Sequence, residues 1–176
     1  NHDYFYSDSL DGKTWDFASS GTTLKLSIGS LALDNISTAV AAVLLSGLKV
    51  SQQAIATGIQ NAKLQGRFEI RKIADKTVIF DAGHNPHGVE FLLKQLRNFL
   101  EYNKQYTEVV AVFSMLADKD INSVVNLLKN TVLKWKIAPM AVPRAASLDQ
   151  LESALQGETV QSYQNVQAAF LSALEE

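Results

Sequence analysis

The sequence predicts an α/β fold, and three observations carry that prediction. From residue 67 onward, short apolar runs alternate with stretches of helical period, the order expected of a doubly wound, mostly parallel sheet. Residues 1–30 instead hold short aromatic and threonine-rich segments separated by turn residues, a pattern of small strands. Polar side chains also collect after three successive predicted strands, which places them along one edge of the sheet.

Taken in order, residues 4–7, 14–18 and 22–28 read as strands, punctuated by Asp11-Gly12, Ser20-Gly21 and Gly29. The period then changes. Asp34 or Asn35 suits a helix cap, and Ile36, Ala39, Val40, Val43 and Leu44 recur at helical spacing until Gly47 stops the helix. Ser51 suits the cap of a second helix ending near Ala62, with Val50 and Ile55 placed as a hydrophobic staple and Ile59 on the same stripe. A boundary falls at 64–66. Residues 67–73 are a strand candidate, and 77–80 form an apolar run of the kind buried on both faces of a parallel sheet. Pro86 opens a helix over 86–102. Beyond it the reading is strand 108–115, helix 118–134, strand 136–142, helix 148–155 and helix 163–174.

Composition narrows the function classes. Hydrophobic residues make up 47% of the 176 and charged ones 19%, inside the globular range and outside the disordered one. Sixteen Lys and Arg against eighteen Asp and Glu leave a net charge of −2 without charge blocks, which argues against nucleic acid or a membrane surface as the main partner. The absence of cysteine excludes a disulfide framework, a thiolate metal site and a thiol nucleophile within these residues, and a cytoplasmic location fits. The most apolar stretch, 39–45, is too short to span a bilayer, and Asn1-His2-Asp3-Tyr4 lacks the order of a signal peptide.

The richest segment is Asp81-Ala-Gly-His84-Asn85-Pro86-His87-Gly88, between a strand and a helix. Pro86 suits the first helical position and Asn85 the cap, which leaves helix N–H groups and the positive dipole end facing an anion. Asp81 suits a ribose hydroxyl, a cation or an ammonium group, and His84 suits donation to a carboxylate or phosphate. The plainer alternative is that Asp81 and Asn85 only make turn and cap hydrogen bonds. Zinc on His84 and His87 is disfavoured, because Pro86 lies between them and no third strong ligand is near. Arg67, just after Gly66, suits a phosphate with its planar fork, or else a surface salt bridge. In Met115-Leu-Ala-Asp118-Lys119-Asp120 the lysine suits an anion while the aspartates suit a helix cap, and Pro143-Arg144-Ala145 ends the next strand similarly. Asn35 reads as a cap by default. Gly12-Lys13-Thr14 is a decoy, since Ser7 replaces the earlier glycine of a phosphate-binding loop. No GxGxxG, GxSxG or HExxH pattern is present.

Leu64-Gln-Gly-Arg67-Phe68-Glu69, Val78-Ile-Phe-Asp81-Ala-Gly-His84-Asn-Pro-His87, Met115-Leu-Ala-Asp118-Lys119-Asp120 and Pro143-Arg144-Ala145, in this order and at these separations, resemble the C-terminal half of folylpolyglutamate synthase/dihydrofolate synthase. That family is similar in plan to the Mur ligases. Ala32-Leu-Asp-Asn35-Ile-Ser-Thr-Ala39-Val-Ala-Ala42 resembles the helix closing the family's central ATPase domain. The resemblance implies a Rossmann-like, mostly parallel ligase domain over 65–176, its last strand expected after residue 176. Before it, residues 1–64 would be the β/α C-terminal segment of a P-loop-type central domain.

The activity implied is ATP-dependent amide ligation, adding L-glutamate to dihydropteroate or folates through an acyl phosphate, with Mg²⁺ held mainly by residues upstream of this chain. It further implies Asn35 on the adenine side, Arg67 at the phosphates, Asp81 at the nucleotide, and His84 and Lys119 in the glutamate and acyl-phosphate region. The chain is then expected to be part of a longer monomeric enzyme and inactive alone. A Mur-type ligase acting on a peptidoglycan precursor, and a non-catalytic Rossmann-like binding module, are the alternatives.

Overall fold

The computed structural model describes residues 4–8, 14–19, 21–27 and 31–176. The expected turns at Asp11-Gly12 and Gly29, the decoy's Gly12 and Lys13, and the end of the third strand at Ile28 lie outside the described residues. The chain divides into two compact units, 1–67 and 68–176.

In the first unit, β1 (Phe5–Asp8), β2 (Thr14–Ser19) and β3 (Thr22–Ser27) form an antiparallel meander in that order. Alternation drives it: Trp15 and Phe17 point to one face and pair across the ladder with Leu26 and Leu24. All four are buried together with Ile36, Val40, Ile55 and Ile59 of α1 (Leu33–Leu45) and α2 (Gln52–Asn61). Helix α1 starts earlier than a cap at Asp34 or Asn35 would place it. Its N-cap is Ala32, whose carbonyl accepts from the amides of Asn35 and Ile36 at 3.0 and 3.1 Å. Asp34 thus lies within the first turn, where its charge meets the positive helix end and its carboxylate accepts from the Tyr6 hydroxyl. The buried stripe includes Ser37 and excludes Ala39; the serine hydroxyl is satisfied by the Asp34 carbonyl at 3.0 Å. Gly47, at φ 75°, ends the helix. Ser51 caps α2, its hydroxyl accepting from the Ala54 amide at 3.2 Å.

The second unit starts with a hairpin. Strands β4 (Glu69–Ile73) and β5 (Lys76–Phe80) are antiparallel, joined by Ala74 and Asp75, both at positive φ as a two-residue primed turn requires. The run 77–80 therefore pairs with its sequence neighbour and is only partly buried, which corrects the reading of it as a doubly covered parallel strand. The parallel sheet is β6 (Val110–Phe113), β7 (Lys134–Ile137) and β8 (Val160–Ser162). Helices α3 (Pro86–Tyr102), α4 (Ile121–Leu128) and α5 (Leu148–Ala154) contribute Val89, Leu93, Val124, Val125 and Leu151 to a core against Trp135 and Ile137. Helix α4 stops at Leu128, short of the expected residue 134, because Lys129, Asn130 and Thr131 turn the chain into β7. Strand β8 was not foreseen, and α6 (Val166–Leu174) starts after it.

The lysines in β7 explain the misplaced boundary. Lys136 alternates with Trp135 and Ile137 and points away from their core. It is only 1% exposed. Its Nζ reaches Gln161 Oε1 at 2.7 Å, Glu176 Oε1 at 2.9 Å, Ser172 Oγ at 3.0 Å and the Tyr163 hydroxyl at 3.2 Å. Lys134 Nζ holds the second Glu176 oxygen at 3.1 Å. Burial pulls the Lys136 amine down, but Glu176 and Tyr163 more than offset it and raise it above the ordinary lysine value. The two lysines, Lys136 first, hold the Glu176 carboxyl below the ordinary glutamate value.

A raised amine stabilises the fold until pH climbs through its folded value, and a lowered carboxyl stabilises it until pH falls through its own. The melting temperature is therefore expected to fall on the acid side as Glu176 protonates, and on the alkaline side beyond the lysine range. Glu176→Gln should flatten the acid limb, so that the two proteins converge at low pH. A constant offset between wild type and variant across all pH would contradict the assignment.

Candidate active site

The loop between β5 and α3 carries the acidic and imidazole candidates. Asn85 caps α3, its Oδ1 accepting from the Gly88 amide at 2.8 Å, with Pro86 in the first helical position. Asp81 spends both oxygens on main-chain donors: Oδ1 accepts from the Gly83 amide at 2.7 Å and Oδ2 from the Phe68 amide at 2.8 Å. Hydrogen bonds to a charged group contribute about 1.5–3 kcal/mol each. They support a strained residue, since Phe68 sits at φ 43°, in the left-handed region that favours glycine. The Phe68 ring is held edge-on against Phe99 of α3, centroids 6.3 Å apart, and Phe99 stacks on Tyr106 at 5.6 Å.

His84 is exposed, with Nδ1 3.0 Å from the Ala82 carbonyl. That oxygen only accepts, so Nδ1 carries the proton, and Nε2 of a neutral ring is then an acceptor. Donation to an anion through Nε2, the role expected from sequence, needs the charged ring.

Lys119 lies between β6 and α4, half-buried, and lines an open hollow of about 500 Å³ together with Asp120, Asn122, Asp149 and Gln150. Its loop is tied to the one after β7. Leu116 bridges Ala145, the Ala117 amide donates to Arg144 O at 2.8 Å, and the Ala146 amide donates to Met115 O at 2.9 Å. Above this backbone pairing the Arg144 guanidinium meets Asp118 Oδ2 at 2.6 Å. Two of the three polar segments read from the sequence thus form one joined surface. Asp120 does cap α4, and Ser123, through its side chain and its amide, holds the Asp120 carboxyl below its usual value. Asp118 does not cap; it pairs with Arg144. Asn35 and Arg67 belong to the first unit, Asn35 exposed in the first turn of α1 and Arg67 exposed at the unit's last position, its amide donating to Leu64 O at 3.2 Å. Among the described residues no group of three or more His, Cys, Asp or Glu is arranged to hold a metal ion.

A polar loop at the end of β5 is one part of the candidate site, and the joined pair of loops after β6 and β7 lies at the carboxyl ends of parallel strands, where open α/β folds bind ligands. The family profile described as "Mur ligase, glutamate ligase domain" matches residues 66–176. The chain belongs to the Mur ligase family. Within it, the chain is 39% identical over 144 residues to the dihydrofolate synthase/folylpolyglutamate synthase of Escherichia coli, covering 81% of this chain and 33% of that relative. The solved structure of E. coli FolC in complex with DHPP and ADP covers 99% of the chain at 35% identity and TM-score 0.82, the chain spanning 40% of it. A bifunctional folylpolyglutamate synthase/dihydrofolate synthase with Mn, AMPPNP and L-glutamate bound gives the same coverage at 30% identity and TM-score 0.82. The chain therefore spans well under half the length of these Mur ligase relatives.

Two features were missed by reading the sequence: the Asp81 grip on Phe68 and the Arg144–Asp118 pair. The signals available were Gly66 just before a strand, and opposite charges at two adjacent strand ends.

Proposed function

We propose that the protein containing this chain is an ATP-dependent ligase that adds L-glutamate to dihydropteroate, to folates, or to both. The reading is carried by the match of residues 66–176 to the glutamate ligase domain, supported by relatives whose structures hold ADP with DHPP, or AMPPNP with Mn and L-glutamate. On this reading residues 65–176 are the ligase domain, and 1–64 are the C-terminal segment of the central ATPase domain.

In such a reaction a carboxylate oxygen of the acceptor attacks the γ-phosphorus and ADP leaves. The glutamate amine then attacks the acyl carbon, and phosphate leaves with the oxygen it took from the acceptor. Negative charge grows at the phosphoryl group and at the tetrahedral carbon, so positioning and electrostatics carry most of the rate. Arg67, exposed and planar, meets the phosphates; Asn35 faces the adenine; Asp81 belongs to the nucleotide side. Lys119 holds anionic oxygens of glutamate or of the acyl phosphate. His84, exposed and with Nδ1 engaged by the Ala82 carbonyl, accepts a proton from the glutamate amine when neutral and donates to a carboxylate when charged. Mg²⁺ supplies charge neutralisation when bound; the described residues form no cluster for it, and no step here passes through it. The enzyme acts on small molecules as a cytoplasmic monomer.

The test is incubation of the full-length protein with ATP, L-glutamate and, separately, dihydropteroate, a reduced folate and a UDP-linked peptidoglycan precursor. ADP and a glutamylated pteroate or folate are expected. Product with the peptidoglycan precursor alone would assign a cell-wall ligase. No product with any acceptor would favour a binding module.

A further inference from the structure

The contacts of Asp81 assign it work that nucleotide contact does not require. Phe68 N is the nitrogen of the Arg67–Phe68 peptide bond, and Asp81 Oδ2 accepts from it at 2.8 Å. The other oxygen is tied to the Gly83 amide at 2.7 Å, so the carboxylate is fixed at both ends. On either side of Arg67, Gly66 at φ 64° adopts the left-handed region as glycine does readily, whereas Phe68 at φ 43° leaves it readily unless it is held. The Phe68 ring on Phe99 supplies a second hold, on the side chain and not on the peptide.

We propose that Asp81 is a positioning residue for Arg67: its carboxylate fixes the Arg67–Phe68 peptide in the strained course from which the exposed guanidinium is presented to an anion. The inference rests on the ligase reading, in which that anion is the ATP phosphate chain. Asp81 then acts through Arg67, and the two side chains contribute as one unit.

The experiment is a double-mutant cycle in the full-length protein, with Arg67→Ala, Asp81→Asn and the pair, reading KM for ATP, KM for glutamate, kcat and melting temperature. Asp81→Asn removes one of the two amide acceptors; it is expected to raise KM for ATP about tenfold and to leave KM for glutamate unchanged. In the Arg67→Ala background the same change should add less than about twofold. Asp81→Glu is the second variant. It keeps the charge but is too long to bridge both amides in this geometry, and it should behave as Asp81→Asn does. If either fails to fold, calorimetric binding of AMPPNP by the other completes the cycle.

Losses that multiply in the double variant would overturn the proposal and make Asp81 an independent nucleotide ligand. Wild-type KM for ATP in Asp81→Glu would overturn it in favour of charge alone. A wild-type protein without ATP-dependent glutamate ligation would instead sink the ligase reading, an outcome separable from either.

Discussion

Replacing Lys136 by alanine is expected to lower stability by about 3–5 kcal/mol, the range for breaking a buried ion pair by removing one partner. The amine lies 1% exposed in the central strand of the parallel sheet and serves oxygens from β8, from Tyr163, from α6 and from Glu176. Without it, Gln161 loses a partner inside the structure, while Glu176 keeps, among the described residues, only Lys134. Lys136→Met is the informative comparison, because its unbranched apolar chain fills the same channel and replaces a costly desolvated charge. Methionine should recover a large part of the alanine loss. Denaturant unfolding of the three proteins checks this, and an alanine variant within about 1 kcal/mol of wild type would show that the buried network does not hold α6 to the sheet.

Arg67→Ala in the full-length protein is expected to reduce turnover with ATP more than tenfold, a loss above about 1.4 kcal/mol of transition-state stabilisation. The melting temperature should stay near that of wild type, because the side chain is exposed. Arg67→Lys should recover little, since a point charge does not reproduce the two-pronged contact of a guanidinium with phosphate oxygens. Steady-state rates against ATP concentration provide the check, and wild-type kinetics in Arg67→Ala would remove the residue from the site.

Where the fold was legible, short-range physics fixes the structure. Trp15 and Phe17 alternate in β2, and an alternating pair needs one apolar face to pack on. Asn85 and Pro86 announce α3 because capping and a preset φ act within a single turn. The readings failed where a partner far along the chain decides. An apolar run such as 77–80 looks the same whether it pairs with β4 or lies inside a parallel sheet. Lys134 reads as the end of a helix and Lys136 as the first residue of a strand, until Gln161, Ser172 and Glu176 arrive to satisfy an amine buried within the sheet. Strand β8, only three residues long, has too little pattern of its own to announce itself.

The candidate site divides the same way. The Asp81-to-Gly88 loop could be placed between a strand and a helix from local chemistry. The destination of the Asp81 carboxylate could not, because its partner, the Phe68 amide, lies on the far side of the β4–β5 hairpin in a residue at positive φ that no local pattern announces. Nor does any local pattern join the loop of Lys119 to that of Arg144, whose tie depends on the neighbouring parallel strands β6 and β7.

The central claim is ligation through an acyl phosphate, and oxygen tracing tests it most directly. Full-length protein is supplied with ATP, L-glutamate and dihydropteroate labelled with ¹⁸O in its carboxylate, and the released phosphate is examined by mass spectrometry. The acyl-phosphate route requires each phosphate to leave with one labelled oxygen and the amide to keep the other. Glutamylated product formed alongside unlabelled phosphate would contradict it.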